Sequence, residues 1–185
     1  MIKDKEIEAA TKQGVAPVEH IVGFDALAVF LHPDNPIKEI SIGQLKAIYA
    51  EGGAFNTWSD LGVTVPGCPS DEIVRVSRQN NSGTYVYFRN TVLGKQGRYK
   101  LGSLDLHGSK DVVELVEKTA SAIGYSGLAY ANEHVKLVPV SVQGMPAVMP
   151  SVETAVDGTY PIARPLMMYT NGEPAGPIKA YMDWI

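Results

Sequence analysis

With 185 residues, 45% of them hydrophobic and 19% charged, the chain has the composition of a globular protein able to bury its own core, and not of a disordered one. A formal net charge of -4 argues against a general nucleic-acid binder. A single cysteine, Cys68, excludes an internal disulfide framework and a multi-cysteine metal cage.

No apolar run approaches the roughly 20 residues needed to cross a bilayer. The opening stretch, MIKDKEIEAATKQG, carries charges throughout and is not a secretion signal. Residues 4–13 read as a short helix with Ile7 and Ala10 inward, stopped by Gly14. Residues 21–31 (IVGFDALAVFL) are nearly all apolar, as expected of a strand covered on both faces, with Asp25 its one charge. Residues 41–49 are the clearest helix: Ser41 and Gln44 form a capping box, and Ile42, Leu45, Ile48 and Tyr49 share a face. Trp58 anchors a turn over 56–62.

A strand over 73–78 (IVRVSR) is followed by the turn QNNSGT and a helix over 85–93, with Tyr85, Phe88 and Val92 on one side. A second amphipathic helix spans 110–120, capped by Ser109. Residues 122–130 form a small-residue strand in which Gly124 and Gly127 permit close backbone approach, and 135–140 another strand. Prolines limit 161–170 to a strand start or an edge. A last helix over 177–185 places Ile178, Tyr181, Met182 and Ile185 together. This alternation of helices and strands predicts an α/β fold.

The chemistry concentrates in residues 73–104. That window has no Asp or Glu, yet it carries Arg75, Arg78, Arg89, Lys95, Arg98 and Lys100, a formal charge of +6. Such an excess favours an anionic partner. At its centre a strand passes through a Gly-containing turn into a helix, where unpaired N–H groups point outward. Ser82, Gly83 and Thr84 sit at that junction. Gly83 lets an anion reach the backbone, the two hydroxyls add donors, and Arg78 offers a bidentate fork. Together they predict a cradle for a tetrahedral oxyanion; the plain alternative for the triplet is a Ser/Thr helix cap. A carboxylate in an apolar strand is costly unless paired. Asp25 therefore either accepts from a protonated phosphate, pairs with an arginine such as Arg78, or serves as a helix cap or hinge salt bridge. ATP-loop, dinucleotide, metalloprotease and hydrolase-elbow patterns are missing, so neither a cofactor, a metal nor catalysis is predicted.

Five segments in order, VGFDALAVFLHPDNP, ISIGQLKAIYAEGGAFNTWSDLG, IVRVSRQNNSGTYVYF, AIGYSGLAYA and YPIARPLMMYTNGEP, resemble the substrate-binding protein of bacterial phosphate ABC transporters. The resemblance implies a periplasmic-binding-protein fold of two α/β lobes with mixed sheets and crossover strands, closing on the anion. It places a partial first lobe at 1–32 and 136–185 and a second lobe at 33–135. It puts the family's Arg-x3-Ser-Gly-Thr element on Arg78, Ser82, Gly83 and Thr84, with Asp25 at a position often Asp in relatives. Those relatives start earlier, with a secretion signal and a phosphate-binding loop, and run further at the end. By that resemblance the chain reads as a trimmed portion of an extracytoplasmic protein. The implied function is binding inorganic phosphate and delivering it to the inner-membrane permease of an ABC transporter. The competing readings are a sensory or interaction module, a site for sulfate, molybdate or tungstate, and an enzyme acting on phosphate esters. Exposed edges of an incomplete lobe would also permit a homodimer.

Overall fold

The computed structural model describes residues 2–185. Residue 1, which opens the expected first-lobe segment and the stretch read as no secretion signal, lies outside the described residues. In chain order the elements are α1 (Asp4–Lys12), β1 (Pro17–Leu31), β2 (Ile40–Ser41), α2 (Ile42–Tyr49), β3 (Val74–Arg78), α3 (Gly83–Phe88), β4 (Leu104–Leu106), α4 (Ser109–Lys118), β5 (Ala122–Gly127), β6 (Lys136–Val138), β7 (Val140–Ser141), α5 (Val152–Val156), β8 (Ala163–Asn171) and α6 (Gly176–Trp184). The α/β class expected from the sequence is the class observed.

Two compact units divide the chain: Met1–Asp25 with Arg164–Ile185, and Ala26–Ala163. Residues Leu27–Leu31 of β1 pair antiparallel with β5 and so belong to the larger unit.

In the larger unit the strands run in the order β4-β3-β5-β1-β6. β3 is parallel to both β4 and β5, whereas β1 is antiparallel to β5 and β6. Crossovers through α3 and α4 make the parallel pairs possible, because parallel strands need long connections. One face of the sheet packs on a core holding Leu45, Ile48, Tyr49, Trp58, Phe88 and Tyr125. A second core joins Phe30, Val76 and Ala122 to Val112, Val113 and Val116 of α4. Gly124 allows that second layer: a Cβ there would meet Val116 Cγ2 at 2.8 Å and Val112 Cγ1 at 2.9 Å.

Local signals were honoured where the interaction is local. Ser41 Oγ accepts from Gln44 N at 3.1 Å and Gln44 Oε1 accepts from Ser41 N at 2.8 Å, the expected capping box. Trp58 is fully buried and donates its indole N–H to the Ser121 carbonyl oxygen at 3.2 Å. In the turn that it anchors, Asp60 accepts from Asn56 N at 2.8 Å and Thr57 N at 2.9 Å. These backbone hydrogen bonds, that of Asn56 first, hold its carboxyl below the usual range.

Other expectations are corrected. The strand over 21–31 is buried only from Ala26 onward. The helix expected over 85–93 begins at Gly83 and finishes as a π turn, Arg89–Leu93. The strand over 122–130 ends at Gly127, and Leu128–Tyr130 is a 3₁₀ turn. The strand over 135–140 is split at Pro139, which has no N–H for a ladder, into β6 and β7.

The smaller unit consists of α1, the first part of β1, β8 and α6. β8 pairs with β1, and the ribbon closes where Gly172 N donates to the Ala16 carbonyl oxygen at 2.7 Å. None of its described residues is buried. The inward faces expected for α1 and α6 are therefore not covered: Ile7 is 39% exposed, and Ile178 is 56% and Tyr181 53% exposed.

Two outcomes follow for the larger unit. Gly124→Leu is expected to overpack the α4 layer and lower stability by about 1–3 kcal/mol, read as a lower urea midpoint. For Asp60, the folded-state pKa lies below the unfolded value, so its stabilisation is complete above about pH 4 and is lost as the pH falls through the lowered value. Asp60→Asn should thus unfold more easily than the parent at neutral pH, and the gap between their midpoints should close on acidification.

Candidate anion-binding site

The site is built on the hand-over from β3 to α3. Behind it lies an aromatic block. Phe88, on α3, stacks on Tyr125 of β5 with ring centroids 3.7 Å apart and planes 7° from parallel. Tyr49 meets Phe88 edge-on at 5.2 Å, and its buried hydroxyl lies 2.8 Å from the Ile123 carbonyl oxygen and 3.1 Å from that of Val76. Burial pushes the Tyr49 hydroxyl well above its ordinary pKa, so it stays a proton donor.

A hydroxyl chain runs from this block to the strand end. Tyr99 OH donates to the Tyr85 carbonyl oxygen at 3.0 Å or engages Tyr125 OH at 2.7 Å, and Tyr125 OH reaches Ser77 Oγ at 2.7 Å. Burial raises Tyr125 to about 12, although its hydrogen bonds with Ser77 and Tyr99 oppose the shift. Ser77, fully buried, immediately precedes Arg78.

Arg78 is fixed at two atoms. Nη1 donates to Ser109 Oγ at 2.6 Å and Nη2 to the His107 carbonyl oxygen at 2.8 Å. One N–H on each Nη is left for a ligand, since a guanidinium has five donors. Its Nε is buried with no hydrogen-bond partner among the described residues. Gln79 continues the strand by donating its N–H to the Leu106 carbonyl oxygen at 3.0 Å. Thus Arg78, at the end of β3, is braced against the loop that starts α4.

Ser82 is the N-cap of α3, its Oγ accepting from Thr84 N at 3.2 Å. The cap and the ligand cradle are compatible, because an accepting Oγ keeps its own proton to donate. Gly83 is exposed and Arg78, Ser82 and Thr84 are half-buried, so solvent reaches all four. Beside them Gln79, Asn80, Asn81 and Asp105 line a depression of about 280 Å³. Burial raises the Asp105 carboxyl, a shift that the Ser77 hydroxyl partly offsets.

Asp25 is elsewhere. In the smaller unit its Oδ2 accepts from Arg164 Nη2 at 2.9 Å and Nε at 3.2 Å. The expected pairing with an arginine therefore occurs, but with Arg164 of β8 and not with Arg78. Ser109 is also reassigned. Gly108 is the N-cap of α4, Asp111 Oδ2 accepts from its N–H at 2.8 Å, and the Ser109 hydroxyl instead receives Arg78. Sequence reasoning missed Ser109, His107 and Asp105 as neighbours of the site. The one available signal was their position on the strand and loop next after the basic window.

The family model described as PBP superfamily domain matches residues 1–185. The chain belongs to this family. Several of its relatives carry the name phosphate-binding protein. The chain is 36% identical over 186 residues to the phosphate-binding protein PstS of Pseudomonas aeruginosa, covering 96% of this chain and 57% of the relative. It is 34% identical to the protein SphX of Synechococcus elongatus, covering 94% and 52%. A solved structure described as a phosphate ABC transporter substrate-binding protein with bound phosphate, from Clostridium perfringens, superimposes with a TM-score of 0.75 at 28% identity, covering 100% of this chain and 69% of that one. The chain spans a little over half the length of these curated relatives.

If the hydroxyl chain holds the strand end, Tyr125→Phe should leave Ser77 and Tyr99 without their shared partner. The expected cost is about 1–3 kcal/mol of stability, measured by urea unfolding.

Proposed function

We propose that this PBP superfamily domain binds inorganic phosphate through Arg78, Ser82, Gly83 and Thr84, and serves as an extracytoplasmic solute-binding module that hands its ligand to the permease of an ABC transporter. The observation that carries this reading is the two-point bracing of the Arg78 guanidinium at the end of β3, four residues before the solvent-reached Ser82-Gly83-Thr84 start of α3. A guanidinium already immobilised loses little entropy on binding, and its remaining N–H groups match a tetrahedral oxyanion. The bound phosphate in the Clostridium perfringens structure adds support from a relative.

Binding and not catalysis is the role this arrangement suits. The donors hold an anion, and no activated nucleophile stands beside them. Asp25 is left out of the ligand set because its carboxylate is engaged in the ion pair with Arg164. We assign it to bracing the β1–β8 ribbon. The lobe that carries the cradle corresponds to residues 33–135 in this reading.

Isothermal calorimetry with inorganic phosphate tests the proposal. Charge-assisted hydrogen bonds contribute about 1.5–3 kcal/mol each, so Arg78→Ala should weaken binding by roughly tenfold to a hundredfold. Ser109→Ala, which frees the guanidinium from one brace, should cost less than that. No saturable heat at millimolar phosphate, or equal affinity in Arg78→Ala, would overturn it.

A further inference from the structure

A larger cavity of about 400 Å³ lies one turn further along α3, between that helix and the 97–105 segment. Arg89, Arg98, Tyr85 and Asp105 line it, and none of the cradle residues does. Its arginines form no close ion pair among the described residues, and neither does Arg75. The Nε atoms of Arg75 and Arg89 are buried without a hydrogen-bond partner. The Arg89 head group has only a 3.4 Å contact with Asn90 Oδ1, and Arg75 only a 3.5 Å contact with the Leu101 carbonyl oxygen on the cavity wall.

Lys100 is the contrasting case. Its Nζ spends its hydrogen bonds on Gly53 O at 2.7 Å, Asn56 Oδ1 at 2.9 Å and Phe55 O at 3.0 Å. It contributes charge to the wall but no donor to a ligand. Three cations, Arg89, Arg98 and Lys100, therefore line a space that offers Asp105 as its one carboxylate, and Arg75 touches the wall from behind at Leu101. Desolvation first, and then the Arg75 charge, push Lys100 below its ordinary pKa, and the Asp60 carboxylate opposes them.

We propose that this cavity is a second anion site and that it takes a condensed phosphate, inorganic pyrophosphate or a short polyphosphate. Volume and charge select this class. The space exceeds what one tetrahedral ion fills, and guanidinium groups on two separate segments, Arg89 on the turn after α3 and Arg98 on the following loop, call for two linked anionic centres. Guanidinium forks match phosphoryl oxygens in bidentate fashion. Tyr85 adds an aromatic wall, stacked on Tyr99 with centroids 4.3 Å apart. Asp105 sits where a protonated terminal oxygen can donate to it, which orients the ligand.

This site does not depend on the cradle, and the test keeps the two apart. Calorimetry with inorganic pyrophosphate is run on the Arg78→Ala chain, in which the cradle's orthophosphate binding is weakened. One saturable site is expected. Arg89→Ala and Arg98→Ala, each added to that background, should weaken it by roughly tenfold or more. Arg98 is exposed, so its substitution leaves folding intact even where that of Arg89 does not; circular dichroism checks both. Orthophosphate binding by the otherwise unaltered Arg98→Ala chain should not change. The proposal fails if pyrophosphate gives no saturable heat, if Arg98→Ala leaves its affinity unchanged, if binding is already abolished by Arg78→Ala, or if a dicarboxylate such as succinate binds more tightly than pyrophosphate.

Discussion

Tyr125 is the residue through which the larger unit is organised. Its ring faces that of Phe88 at 3.7 Å and its hydroxyl reaches Ser77 and Tyr99, so one side chain ties β5 to α3, to the end of β3 and to the loop after the π turn. Apolar burial and polar satisfaction coincide at this point. The stack supplies area removed from water, and the hydroxyls satisfy one another where an unpaired one would be costly. Arg78 inherits its position from that block, because the residue before it is pinned there.

The same block explains how so much positive charge is tolerated between residues 73 and 104. Arginine heads are held at the periphery of an aromatic core by carbonyl oxygens and hydroxyls, and not by carboxylates. Such an arrangement leaves the positive charge uncancelled within the protein. An internal salt bridge would stabilise the resting protein and neutralise the site together. The exception is Arg164 with Asp25, in the other unit, where the charge is committed to structure.

What the sequence revealed followed the range of the interaction. The Ser41–Gln44 cap, the buried Trp58 turn and the close approach at Gly124 are readable because the deciding residues are neighbours or the missing side chain is itself the message. The strand end at Arg78 and the helix start at Gly83 were readable for the same reason, since Arg78 to Thr84 is one short stretch. The brace between Arg78 and Ser109 joins residues 31 apart, and nothing in either segment announces it. Ser109 looked like a cap because Ser before an amphipathic run usually is one; Gly108 and Asp111 fill that task here. Asp25 was legible as a carboxylate in need of a partner, whereas the identity of Arg164 came only with the β1–β8 pairing.

The smaller unit has a thermodynamic corollary. Its described residues include no buried side chain, so opening it brings few new apolar atoms into contact with water. Heat capacity rises on unfolding chiefly because apolar surface is newly hydrated. Residues 2–25 and 164–185 of this chain therefore add little to that increment, and a calorimetric melting curve is in effect a thermogram of residues 26–163.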